Sequence, residues 1–300
     1  MARPGRKWAL IADANPDGVG GAYASAFRRR GINVVATATD TEGMEYLEPE
    51  SGTDEGFLVT LQLDASCPES IAAAVTQVRQ LTDGHLDFLL NVSDSAYCVP
   101  LIDADIEQAK KQFDLGVWGP LAVTKAFFPM LQASKGVVVN QVKPTGLTGL
   151  TKPFAGIGSS VQAAILNMSS VLRVELEPFG IKVVTLIADD LQAGRIDGLT
   201  GEGVSQSSPY FPIKDDADRV MASYSANKSR DMYEIANETL DQLLGEAPPS
   251  YIRKGFMAYL LPLFYWLIPT SILDSFATRS GSLDRLKRIL SGAADDKKDE

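Results

Sequence analysis

The amino-acid sequence predicts a doubly wound parallel α/β sheet with helices on both faces and an apolar, helical C-terminal extension. Three observations lead there. The first two-thirds of the 300 residues alternate short apolar runs with longer amphipathic stretches. The apolar runs are continuous and rich in Val and Leu, as strands are when both faces of a parallel sheet are covered. The first run leads through a turn with two glycines into a helical stretch, and such strand–helix repetition builds an open sheet wound in both directions.

Taken in order, the pattern predicts a first strand at Trp8–Ala12 and a helix over Gly20–Arg30, closed by Gly31. Asn33–Thr37 is the second strand, with a helix near Asp40–Leu47. A third strand at Phe57–Leu63 leads into a helix over Pro68–Leu81, and Leu86–Asn91 is the fourth strand. Asp105–Met130 is mostly helical. Gly136–Asn140 is the fifth strand, Ser159–Glu177 a long helix and Lys182–Ile187 the sixth strand. Ile196–Asp218 is rich in Gly, Ser and Pro and predicts a loop, the main part of a lid over 196–225. Ala226–Leu244 carries Met232, Ile235, Ala236, Leu240 and Leu243 at helical spacing. Residues 1–250 are expected to form one domain, 251–290 an apolar and basic extension, and 291–300 a charged tail without fixed structure.

Composition excludes several classes. Apolar residues make up 45% and charged residues 22%, so the chain is neither disordered nor of low complexity. Its 28 basic and 38 acidic side chains give a net charge of −10, which argues against a nucleic-acid partner. Two cysteines, Cys67 and Cys98, make no disulfide framework and fit a reducing compartment. A single histidine, His85, excludes a multi-histidine metal site, and it stands in a turn at the wrong end of the sheet. Met1–Lys7 is basic, but the apolar run behind it is shorter than the roughly 7–15 residues of a secretory core.

The turn after the first strand runs Asp13-Ala14-Asn15-Pro16-Asp17-Gly18-Val19-Gly20. Glycines there let backbone approach a pyrophosphate at a helix N-terminus. The turn resembles the Gly-x-x-x-Gly-x-Gly loop of the short-chain dehydrogenase/reductase superfamily, with Ala14 for the first glycine. The resemblance continues along the chain. Asp64 is similar to the family's adenine-contacting Asp. Asn91 keeps the first residue of the family's Asn-Asn-Ala-Gly. The Tyr251-Ile252-Arg253-Lys254-Gly255 segment and the aromatic run behind it most resemble fungal 1-acyldihydroxyacetone-phosphate reductases. A Rossmann-like fold is implied, with Gly18, Gly20, Asp64 and Asn91 as its cofactor contacts and dimers or tetramers as its assembly.

The same resemblance exposes losses. The family's catalytic Asn, Ser, Tyr and Lys correspond to Gly116, Lys143, Gly158 and Gln162. Glycine has no proton to give, and Gln162 lacks the charge that acidifies a phenol. After the sixth strand, Ala193 takes the place of a nicotinamide-contacting Thr. Thr39 and Asp40 stand where NADP-using relatives carry Arg. Asp13, Asp17, Asp40 and Asp190 surround the phosphate path with negative charge, so no NAD(H) or NADP(H) is expected to bind and Gly18, Gly20, Asp64 and Asn91 would be vestiges. Tyr210 and Tyr224, in the lid region, could reach the cleft.

By family position the cleft is lined by Asp94, Lys143, Gly158, Gln162, Asp189, Asp190 and Gln192. Lys143, Asp94, Asp190 and Gln162 are the candidate catalytic residues. In an apolar cleft Lys143 can act as a base or form a Schiff base; beside Asp94 or Asp190 it would polarise a carbonyl. It could equally extend to solvent beside Pro144. Gly255–Leu273 carries no charge, is interrupted by Pro262 and Pro269, and is flanked by Arg253, Lys254 and Arg279. It fits a membrane surface, or a helix packed on the core or a second subunit. The relatives' location implies the cytoplasmic face of the endoplasmic reticulum, a lipid droplet or the cytosol. Three functions remain open. The first is cofactor-independent, redox-neutral chemistry on a hydrophobic metabolite, such as cyclisation, isomerisation or dehydration, in fungal specialised metabolism. The second is a non-catalytic lipid- or metabolite-binding scaffold at a membrane. The third is an NADP(H)-dependent oxidoreductase with an unorthodox proton donor.

Overall fold

A computed structural model describes residues 5–16, 18–42, 44, 55–92, 97–146, 152–188, 203–226, 231–255, 258–259 and 267–292. Seven parallel strands form one sheet in the order β3-β2-β1-β4-β5-β6-β7. They are β1 (Trp8–Ala12), β2 (Asn33–Ala38), β3 (Leu58–Gln62), β4 (Phe88–Asn91), β5 (Val137–Val142), β6 (Lys182–Ala188) and β7 (Tyr251–Lys254). In β1, β2, β4 and β5 every residue is buried, which is why these strands are apolar without alternation.

Helices α1 (Val19–Arg29) and α7 (Met232–Leu243) cover one face. Tyr23 and Phe27 of α1 meet Ile235, Ala236 and Leu240 of α7 there. Helices α2 (Pro68–Thr82), α4 (Gly119–Ser134) and α5 (Gly156–Leu176) cover the other. Val78, Phe127 and Leu131 pack there against Leu10, Leu89 and Val138. The doubly wound fold is as the sequence predicts.

Three details differ. The predicted helix over Asp105–Met130 is two helices, α3 (Ile106–Phe113) and α4, joined by a π turn at Asp114–Trp118. Helix α6 (Lys214–Ala226) starts inside the stretch predicted as loop, with Asp215 and Asp216 in its first turn, where carboxylates favour a helix N-terminus. Tyr251–Lys254, placed by sequence in the extension, is the seventh strand of the sheet. The extension then ends in α8 (Thr270–Ser280) and α9 (Leu283–Leu290). Residues 43 and 45–47 of the helix expected near Asp40–Leu47, and 256–257 and 260–266 of Gly255–Leu273, lie outside the described residues. Among the described residues no helix is long and apolar enough to cross a membrane.

Candidate active site

Strand order reverses between β1 and β4, and the crevice at that switch point is where doubly wound sheets take ligands. On its β1 side, Gly18 caps α1 in an extended conformation with no side chain over the first turn, and that turn holds no acidic residue. Gly20 cannot be anything larger: a Cβ there would fall 2.0 Å from the Asp13 carbonyl oxygen. At Gly21 it would fall 2.7 Å from that of Asn15. The first turn of α1 is thus drawn onto the preceding loop, presenting an uncapped helix N-terminus, which favours an anion. Ala14 is fully buried and its N–H donates to the Thr37 carbonyl at 2.7 Å, tying the turn to β2.

Two expected cofactor contacts have local duties. Asp64 Oδ1 accepts from the Ser66 N–H at 2.8 Å and from the Ser66 hydroxyl at 2.6 Å. Asn91 is buried, and its Nδ2 donates to Asn140 Oδ1 at 2.8 Å and Thr124 Oγ1 at 3.2 Å. Asn140 in turn donates to Ser169 Oγ at 2.9 Å. This chain of bonds fastens β4 to β5, α4 and α5.

Across the crevice the structure assembles the substituted positions. Gly116 is buried in the π turn, a helix irregularity frequent at functional sites. Lys143 directly follows β5 and is half-buried. Gly158 lies in the first turn of α5 and Gln162 one turn later. Gln162 is 1% exposed; its Oε1 accepts the Lys143 backbone N–H at 2.7 Å, while its Nε2 has no partner among the described residues. Part of what was expected to be a catalytic side chain therefore serves to hold the end of β5. Asp94 and Asp190, with Asp189, Gln192 and Ala193, lie outside the described residues. His85 is exposed, its Nδ1 2.9 Å from the Asp83 carbonyl oxygen, in the turn that precedes β4.

The structure adds residues that sequence reasoning missed or set aside. Cys98, after β4, is half-buried; burial pushes its thiol up, with Lys143 and Lys152 opposing. Lys152 Nζ stands 5.3 Å over the Tyr224 ring, and the Tyr224 hydroxyl donates to the Pro153 carbonyl at 3.1 Å. Burial, with Cys98 adding to it, pushes Tyr224 up to about 12. Phe154 adopts φ 67°, strained for a bulky residue. Its carbonyl accepts the Val99 N–H at 2.7 Å and its ring meets Tyr210 edge-on at 5.7 Å. Both lid tyrosines thus reach the loop before α5. Phe154, Val204, Ile213, Ala217 and Met221 form a small apolar cluster. Leu283, Leu286 and Ile289 of α9 pack onto it, and Arg285 pairs with Asp216 at 2.7 Å. The C-terminal extension therefore packs against α6 and the apolar cluster around Phe154.

A family model described as enoyl-(acyl carrier protein) reductase matches residues 13–209. The chain belongs to the short-chain dehydrogenase/reductase family. It is 32% identical to a short-chain dehydrogenase/reductase of Pestalotiopsis microspora over 93% of this chain and 95% of that one. It is likewise 32% identical to an NADPH-dependent 1-acyldihydroxyacetone phosphate reductase of Schizosaccharomyces pombe, over 69% of each. In fold it resembles a Burkholderia cenocepacia short chain dehydrogenase in complex with NADP. That likeness has a TM-score of 0.67 at 19% identity, over 91% of this chain and 97% of that one.

These relatives overturn the expectation of a cofactor-free protein. The family member from S. pombe is NADPH-dependent, and the shared fold holds NADP in the Burkholderia enzyme. The residues here fit such a group better than their charges suggested. The first turn of α1 is free of acidic side chains, and among the described residues no side chain caps its N-terminus. At the other end, the buried and unpartnered Gln162 Nε2 offers a donor one turn from Gly158.

Proposed function

We propose that this chain holds a nicotinamide dinucleotide and reduces a carbonyl-bearing hydrophobic metabolite in fungal specialised metabolism, with Lys143 acting on the carbonyl oxygen in place of the family's Tyr–Lys pair. When bound, such a dinucleotide supplies or accepts a hydride. The Gly18 end of α1 would hold its phosphates, and Gln162 Nε2 would donate to a ribose hydroxyl. The carrying observation is the placement of Lys143 at the end of β5, its backbone pinned by Gln162. A fixed cation there polarises a carbonyl and stabilises the oxyanion that develops, and its Nζ–H can deliver the proton. Tyr224 is a poor substitute acid, because a phenol raised to about 12 keeps its proton at neutral pH.

The test is titration of the full chain with NADH and NADPH, followed at 340 nm with 2-decanone and trans-2-decenal. Saturable binding and loss of absorbance matched by reduced product are expected. NADH should bind about tenfold tighter, because the exposed Asp40 follows β2 and repels a 2′-phosphate. Absence of binding up to millimolar concentrations would sink the reading.

A second reading is redox-neutral conversion, such as cyclisation, isomerisation or dehydration, with the dinucleotide unchanged. Gly158 and Gly116 favour it, since neither can relay a proton. Product formation from the native metabolite at constant absorbance would select it. We also propose that the segment 255–273 rests on a membrane surface. Ile272 and Phe276, one turn apart on α8, are exposed, as a face entering an interface requires. Flotation with phosphatidylcholine–phosphatidylserine vesicles, lost on Phe276→Asp, checks this.

A further inference from the structure

Val137 and Val139 of β5 belong to the apolar cluster under α1 and α7, with Ile11, Leu90 and Leu186. Side chains alternate along a strand, so Gln141 lies on that same face, at the carboxyl end of the sheet. Asn140 lies on the other face, bonded to Asn91 and Ser169. Gln141 is 5% exposed, and its Oε1 is buried with no partner among the described residues. The register gives the reason. Gln141 stands beside Leu186 of β6, and on its other side Val92 follows the Asn91–Asn140 pair. Leu186 belongs to the apolar cluster and Val92 packs on it, so neither side chain offers a donor. A buried carbonyl left unpaired is costly, and in a native chain it calls for an explanation.

The face that Gln141 shares with α1 supplies one. The uncapped N-terminus of α1 at Gly18 follows β1 at this same end of the sheet. β1, β4 and β5 are neighbours, so β5 stands about 10 Å from β1, two strand spacings. Lys143 follows Gln141 by two residues. A ligand that runs along the strand ends from Gly18 to Lys143 must pass Gln141, and Oε1 asks it for a hydrogen-bond donor. The carbonyl of a substrate is an acceptor and cannot answer. The amide NH2 at the nicotinamide end of a dinucleotide can.

We propose that Gln141 Oε1 accepts a hydrogen bond from the nicotinamide carboxamide and so anchors the ring beside Lys143. This rests on the reading that the crevice holds a nicotinamide dinucleotide, and it adds which side chain reads the far end of that group.

The experiment is calorimetric titration of the full chain with NADH, with its reduced 3-acetylpyridine analogue and with ADP-ribose. In the analogue a methyl group replaces the amide NH2, and ADP-ribose lacks the ring. The wild-type chain should bind NADH about fivefold tighter than the analogue, the weight of one neutral hydrogen bond. Gln141→Leu and Gln141→Met remove the acceptor and stay close in size. Both should abolish the preference by weakening NADH alone, with the affinity for ADP-ribose unchanged. Equal affinity for NADH and the analogue in the wild-type chain, or a preference that survives both substitutions, overturns the role of Gln141. The wild-type comparison decides even if neither variant folds. Binding of ADP-ribose without the preference defeats this inference alone. Failure of both NADH and ADP-ribose to bind defeats the dinucleotide reading beneath it.

Discussion

Two strand-to-helix junctions face each other across the crevice, and different forces hold their sequences. At the β1–α1 junction the constraint is backbone on backbone: Gly20 and Gly21 touch the carbonyls of Asp13 and Asn15. These glycines are required for the helix to start where it does, whatever occupies the crevice. At the β5–α5 junction backbone also presses on backbone, since a Cβ at Gly146 would fall 2.6 Å from the Gln162 carbonyl oxygen, but there the Gln162 side-chain amide adds a bond to the Lys143 N–H. Among the described contacts of the sheet, none needs a tyrosine at Gly158 or a lysine at Gln162. A phosphate turn can therefore persist through packing alone while the catalytic end changes freely. The glycine pattern is weaker evidence for a dinucleotide than the uncapped helix end it creates.

That contrast can be broken or sharpened by substitution. Lys143→Met should lower turnover by about 10²–10³, the typical loss of one preorganised electrostatic contact, with melting temperature nearly unchanged. A near-wild-type rate would make the β5–α5 junction as structural as the other. Gly20→Ala should do the reverse. Its methyl group meets backbone that cannot yield, which costs roughly 3 kcal/mol by overpacking and shows in denaturant unfolding of the dinucleotide-free protein. Gln162→Leu is intermediate. It strands the Lys143 N–H but removes the orphaned Nε2, for a net loss of about 1 kcal/mol, and it should weaken dinucleotide binding in a fluorescence titration.

The smallest effect separates the two faces by pH. Tyr23, fully buried against Thr239 at 3.3 Å, and Tyr224 both have hydroxyls raised by burial above the usual phenol range. A raised folded-state value means the folded chain holds protons that the unfolded chain has released. The contribution is complete below about pH 10, the unfolded phenol value, and is lost as pH rises beyond it. Tyr23→Phe should flatten that alkaline decline more than Tyr224→Phe, since Tyr23 is the more buried. Stability curves between pH 9 and 12 test the order.

The sheet was legible because its strands are continuous apolar runs, and the substituted positions because their spacing follows a known family. β7 was not: Tyr-Ile-Arg-Lys is short, half charged and half-buried on alternate residues, as an edge strand is. The start of α6 carried a usable signal in Asp215 and Asp216, outweighed by the Gly, Ser and Pro before it. The grouping of Cys98, Lys143, Lys152 and Tyr224 had no sequence signal. It exists only because two connections, after β4 and after β5, meet helix α6, and periodicity within one element says nothing about which loops converge.

The packing of α9 on the cluster of Phe154 and Met221 also joins distant parts of the chain. Leu286 is 132 positions beyond Phe154. Closing so long a loop costs entropy before the contact rewards it. The sheet can therefore form first, and until α9 docks, Phe154, Val204 and Met221 leave an open greasy flank, a species for chaperones and proteases rather than for substrate.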